Sequence, residues 1–142
     1  MVLKTLGDLN RLITVDKKKK LALAVADDQH SLGAVLKARE SNIIEPVLVG
    51  DKDSIERLCE TNDYDISGLR IVHEPDPEKA VVAAVRLTSS READILMKGK
   101  VGTSSLLRGV LNEEWGLRTG KLLSHIALFE VSTYHKVIAV TD

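Results

Sequence analysis

Aromatic residues are scarce in this chain: they make up 3% of 142 positions, as one Trp, one Phe and two Tyr. The core must then be Leu, Ile, Val and Ala, which is what strands buried on both faces of a parallel sheet use. Single-stranded nucleic acid wants aromatic stacking platforms, and this chain has few to give. The single cysteine, Cys59, excludes an internal disulfide and any Cys-x-x-Cys metal knuckle. It fits a reducing cytoplasm, and its place in the pattern Ile55, Leu58, Cys59 predicts a small core residue on a helix face. The histidines are scattered, with no His-x-x-x-His spacing, so no metal site is expected. No apolar run is long enough to span a bilayer, and the first ten residues lack the apolar centre of a secretory signal. A cytoplasmic protein without a membrane partner is the expectation.

An excess of either charge is missing as well. The net charge is -1, so nothing global attracts nucleic acid or anionic lipid, and no nucleic-acid partner is expected. Any anion site must be local. The one dense basic block, Lys17 to Lys20, reads as a solvated lead-in to a strand. No low-complexity linker and no internal repeat interrupts the chain, and its length suits one domain, residues 1–142.

What is present is an alternation of strand and helix patterns. Leu6, Leu9 and Ile13 are spaced like a weak helix face near the start. "KKLALAVADD" reads as a buried strand ending near Ala26, and Ser31 is placed to cap a helix with Leu32, Val35 and Leu36 inward. "EPVLVGD" is a second strand closed by Gly50, and Asp53 caps the helix that runs through Cys59. "LRIVHEPDP" is a third strand, followed by a helix from Pro77 to about Ser90. "ADILMKG" is a fourth, followed by a helix from Ser104 to Asn112 with Leu106, Leu107, Val110 and Leu111 inward. This order predicts an α/β fold: a three-layer sandwich of a parallel sheet between helices, with right-handed crossovers. "KLLSHIALFEV" and "HKVIAVTD" then break the rhythm and predict a hairpin-like end. The chain stops directly after that strand, which reads as a cut.

Ligands of open α/β sheets bind beyond the carboxyl ends of the strands. Of the four ends, the stretch from Lys98 to Ser105 is richest in anion-binding groups. Gly99 and Gly102 would let backbone N–H groups approach a ligand and would tolerate positive φ. Thr103, Ser104 and Ser105 offer hydroxyls, and the positive end of the next helix points to the same place. Lys98 adds a full charge, and Arg108, opposite the leucine stripe, can face the cleft. The stretch matches neither GxxxxGK[ST] nor GxGxxG, so a tight, well-capped connection remains the competing reading. Gly116 and Gly120 bracket Arg118 in "GLRTG": either a ligand-serving loop or a helix cap at Gly116 followed by a solvated arginine.

"LMKGKVGTSSLLRGVLNEEWGLRTGKLLSHIALFEV", with "YHKVIAVTD" after it, strongly resembles the phosphate butyryltransferases of the phosphate acetyl/butyryl transferase family, most densely from Ile95 to Asp142. The resemblance implies reversible transfer of an acyl group from acyl-CoA to inorganic phosphate, giving acyl phosphate and CoA. It implies a two-domain fold like that of the isocitrate and isopropylmalate dehydrogenases, a homodimer, and coenzyme A as substrate with no bound cofactor. Lys98, Gly99, Gly102, Thr103 and Ser104 would then form the phosphate cradle. Arg108 would contact phosphate or acyl phosphate, with Arg118 and Ser124 reaching the phosphate or the CoA side. Related chains are longer and carry catalytic groups far toward the carboxyl end. The expectation is therefore an amino-terminal part, inactive alone, with its catalytic residues beyond Asp142. The alternative is a non-catalytic phosphate-binding or dimerisation module.

Overall fold

The structure is a computed structural model that describes residues 2–13 and 17–142. It divides into two compact units: Lys17–Thr119, and residues 1–16 together with Gly120–Asp142.

The larger unit is a four-stranded parallel sheet wrapped on both faces. Its elements run β1 (Lys19–Ala24), α2 (Gln29–Glu40), β2 (Ile44–Gly50), α3 (Lys52–Thr61), β3 (Arg70–His73), α4 (Pro77–Ser89), β4 (Ile95–Lys98) and α5 (Thr103–Val110), following a short α1 (Gly7–Asn10) in the other unit. The strand order is β3-β2-β1-β4. Two crossovers carry the chain outward from β1, and α4 then carries it back past β1 to the opposite edge. The order therefore reverses between β1 and β4, and that is where an open α/β sheet leaves a crevice at its carboxyl end.

The sequence dictates which face takes which helix, because alternate side chains of a strand point to opposite sides. Leu21, Leu23 and Leu48 pack with Leu32, Val35, Ile55 and Cys59 of α2 and α3. Ala22, Ala24, Val47 and Val49 pack with Ala80, Val81, Ala84 and Val85 of α4, and Leu106, Val110 and Trp115 close that side. Small alanines on β1 let α4 come close. Gly109 does the same between the helices: a Cβ there would stand 3.0 Å from Val81 Cγ1. Each fully buried Leu, Ile or Val contributes about 1.5–3 kcal/mol of transfer free energy. Cys59 is 2% exposed, and burial pushes its thiol pKa up, as expected of a packing residue.

Several local expectations change. The cap of α2 is Asp28, whose carboxylate accepts the amides of His30 and Ser31. Ser31 instead donates its hydroxyl to that carboxylate. The helix α3 starts after Asp51, two residues ahead of Asp53. Asp51 holds the Ser54 hydroxyl at 2.5 Å, and the amide of Lys52 donates to Nδ1 of His73 at 3.1 Å. The helix α5 ends at Val110, so Leu111 falls outside it and is 44% exposed. Lys19 and Lys20 already belong to β1, exposed at its open end, with Lys19 3.8 Å from Asp94.

The smaller unit is built on the hairpin read from the sequence. β5 (Ile126–Phe129) pairs antiparallel with β6 (Ile138–Thr141), Ile126 opposite Thr141 and Phe129 opposite Ile138. The loop between them includes all of Glu130 to Val137, longer than the "STY" link the sequence implied. The amide of Val137 donates to the Leu3 carbonyl, and the amide of Leu6 donates to Glu130 Oε2. Within this unit, α1 is a four-residue turn that leaves Leu6 and Ile13 exposed. Among the described residues no helix is long and apolar enough to cross a membrane.

Candidate anion site

The exit of β4 is tied to the exit of β1 by backbone alone. The amide of Gly99 donates to the Ala24 carbonyl at 2.8 Å, and that of Lys100 to the Val25 carbonyl at 2.9 Å. A Cβ on Gly99 would lie 2.1 Å from the Val25 oxygen and 2.6 Å from that of Ala24. Glycine stands there because two backbones touch. Neither Gly99 nor Gly102 takes a positive φ, and Gly102 has φ -62° and ψ 140°. The positive φ at this crossing belongs to Val25, at 59°. For a β-branched residue that is an outlier costing about 1–3 kcal/mol. The Lys100 bond, the Gly99 bond and a third from the Ala26 amide to the Val49 carbonyl hold it there.

Past this crossing the chain enters α5 with an open start. Gly102 is the N-cap, and no side chain caps the helix. The first backbone bond of α5 runs from the Leu106 amide back to the Gly102 carbonyl. The amides of Thr103, Ser104 and Ser105 come before it, in the turn where the helix dipole is most positive. Gly102, Thr103 and Ser104 are exposed. Lys98 is adjacent, its ammonium 2.9 Å from the Val101 carbonyl and 3.3 Å from that of Gly99. Thus Lys98, Gly102, Thr103 and Ser104 stand together around one exposed helix start. Gly99 builds the corner under them and turns its own amide inward.

Arg108 and Arg118 are each paired with a carboxylate. Arg108 is exposed and reaches back to the first turn of α5. Its Nη2 is 3.1 Å from Ser105 Oγ and 3.5 Å from Glu78 Oε2 on α4. Arg118 pairs with Glu113 at 2.7 Å within the loop after α5. That loop is organised by Asn112, whose Oδ1 accepts the amides of Glu114 and Trp115. Gly116 is no helix cap: a Cβ on it would lie 2.4 Å from the Asn112 carbonyl oxygen, another close backbone approach. The guanidinium of Arg86 lies 5.6 Å from the Trp115 ring centroid. Ser124 belongs to the smaller unit, exposed and outside any helix or strand.

Electrostatics at the other strand ends are settled internally. The Ser31 hydroxyl, then the Ser31 amide, hold the Asp28 carboxyl below the usual carboxylate range. The Ser54 hydroxyl does the same for Asp51. Glu78 is the residue that sequence reasoning missed. It sits second in α4, after the proline that marks the helix start, and no local signal announces its partner Arg108 thirty residues on. Among the described residues no group of three or more His, Cys, Asp or Glu could hold a metal ion.

No protein-family model matches the chain. Individual relatives do. A phosphate butyryltransferase of Clostridium beijerinckii is 47% identical over 134 residues, 94% of this chain and 44% of the relative. A phosphate butyryltransferase of Clostridium acetobutylicum is 40% identical over 141 residues, 99% of this chain and 47% of the relative. A branched-chain phosphotransacylase from Enterococcus faecalis shares the fold, with a TM-score of 0.65 at 24% identity over 87% of this chain and 42% of that one. The resemblance noted from Ile95 to Asp142 thus extends along nearly the whole chain. The chain itself spans less than half the length of these relatives.

Proposed function

We propose that this chain forms the phosphate-binding part of a phosphate acyltransferase, with inorganic phosphate and an acyl-CoA, butyryl-CoA first, as substrates. The observation that carries the reading is the open start of α5 at the β1/β4 crossing, in a chain 40–47% identical to phosphate butyryltransferases. Inorganic phosphate would sit on the amides and hydroxyls of Thr103 and Ser104, with the ammonium of Lys98 turning from its carbonyl partners toward the oxygens. One phosphate oxygen attacks the thioester carbonyl carbon. The C–O bond forms, the C–S bond breaks, and the CoA thiolate leaves to take up a proton. Fixed positive groups around the phosphate hold the nucleophile in line, and holding two reactants together supplies much of such a rate enhancement.

Arg108 contributes a further phosphate contact in this reading, and Arg118 and Ser124 serve the phosphate or the CoA side. The groups that handle the thiol and the developing oxyanion belong to sequence beyond Asp142, which makes this chain alone a phosphate binder with negligible transfer. A homodimer in the cytoplasm, a second domain arranged as in the isocitrate and isopropylmalate dehydrogenases, and coenzyme A as substrate complete the proposal. The test is a titration with inorganic phosphate followed by ³¹P line broadening, beside an assay of CoA release from butyryl-CoA. Phosphate binding lost in a Thr103→Ala/Ser104→Ala variant is the expected result. No binding by the unaltered chain overturns the reading.

A further inference from the structure

We infer that Glu78 is a positioning residue for Arg108, holding its guanidinium at the first turn of α5 where a bound phosphate would meet it. The inference rests on the phosphate-binding reading above. Helix side chains lean toward the N-terminus, so Arg108 covers the turn before its own Cα. It goes as far as Ser105, the third residue of α5, at 3.1 Å. Ser105 in turn donates its hydroxyl to Glu78 Oε1 at 2.6 Å, and Glu78 Oε2 faces Arg108 Nη2 at 3.5 Å. One carboxylate therefore holds both members of the pair.

The backbone of Glu78 is itself fixed. Its amide donates to Asp76 Oδ1 at 2.9 Å in the cap of α4, and α4 packs on α5 through Gly109. Arg108 spends Nη2 on these contacts, and its Nη1 and Nε make no hydrogen bond among the described residues. A guanidinium has five donors in a planar fork, so the unspent edge can still take a phosphate oxygen. Without Glu78 the arginine, 70% exposed at its side chain, has only the Ser105 hydroxyl to keep it there. A cavity of about 210 Å³ lined by Glu78, Val81, Ser105, Arg108, Asn112 and Trp115 leaves the side chain room to swing away.

A carboxylate near an anion also repels it, so the sign of the effect is the test. Four chains are compared: the unaltered one, Glu78→Ala, Arg108→Ala and the double variant. Inorganic phosphate affinity is read by ³¹P line broadening and folding by thermal melting. Arg108→Ala should weaken binding about tenfold, the scale of a charge-assisted contact. Glu78→Ala should weaken it about threefold, the scale of an exposed ion pair, with the melting temperature little changed. In the Arg108→Ala background the Glu78 change should cost nothing further. Glu78→Gln, whose single side-chain oxygen can replace only one of the two acceptors that Ser105 and Arg108 use, should recover part of the loss. Tighter or unchanged binding in Glu78→Ala overturns the inference, as do losses that multiply in the double variant. If the unaltered chain binds phosphate and Arg108→Ala binds it equally well, the inference falls while the α5 site stands. If the unaltered chain does not bind phosphate, both fall.

Discussion

Four helices begin at the carboxyl end of the sheet, and they begin in two ways. The start of α2 is closed by Asp28 and that of α4 by Asp76, each accepting two first-turn amides. The start of α3 donates its Lys52 amide to His73. The start of α5 has Gly102, which has no side chain to give. A side-chain cap is worth about 1 kcal/mol, small enough for a fold to forgo at one helix. The difference matters for chemistry more than for stability. Three helix starts spend their positive ends on the protein's own groups. The fourth leaves its first-turn amides without a side-chain cap beside Lys98, at the place where the strand order reverses.

The sharpest way to break this contrast is to remove the corner that carries it. Gly99→Ala puts a methyl group 2.1 Å from one backbone oxygen and 2.6 Å from another, and backbone cannot yield as a side-chain tip can. We expect a loss of about 4 kcal/mol or more, in the range reserved for severe overpacking and broken backbone pairing. Chemical denaturation measures it. A loss under about 1 kcal/mol would mean the β1/β4 crossing is not tied as described. A milder change turns α5 into a helix of the other kind. Gly102→Asp fits the backbone there, and a Cβ would meet nothing closer than Ser104 Oγ at 3.8 Å. The new carboxylate should cap the helix, raise stability by a few tenths of a kcal/mol, and reduce phosphate affinity about tenfold or more by occupying the same amides. Unchanged phosphate affinity would show that the anion, if bound, sits elsewhere.

Much of this was legible before any coordinates. Runs such as LALAVA and VLVG read as strands buried on both sides, and the long helices fell within a few residues of their places. The caps were harder. In "DDQHS" and "GDKDS" several residues are able to cap, and the choice depends on where the sheet lets the strand end. That favoured Asp28 over Ser31 and Asp51 over Asp53. Gly99 could be recognised as necessary but not why, because a glycine that admits a ligand and one that admits a second backbone look alike in sequence. Arg108 could be singled out by residue type. Its partner could not, since only the packing of α4 on α5 brings Glu78 to it. The hairpin strands were visible as apolar runs, yet Ile126 is 68% exposed: a two-stranded sheet has two open faces, and the apolar pattern does not reveal what covers them.

The smallest effect separates the closed helix starts by pH. The Asp28 carboxyl is held below its ordinary range, chiefly by the Ser31 hydroxyl, whereas in the unfolded chain it titrates normally. A carboxyl depressed in the folded state contributes stability above its unfolded pKa. That contribution fades as pH falls through the folded value, because the unfolded chain takes up the proton first. The melting temperature of the unaltered protein should therefore decline between about pH 5 and pH 2. Asp28→Asn keeps one side-chain oxygen, for the Ser31 amide, but cannot titrate. It should give a shallower acid decline, with Asp8, Asp51, Asp65, Glu92 and Asp94, whose carboxyls are also held low, still contributing. Neutral stability should fall by the part that the Asp28 charge contributes. An acid limb parallel to that of the unaltered protein would mean that Asp28 caps α2 without its charge mattering. The closed starts would then differ from the open one in geometry alone.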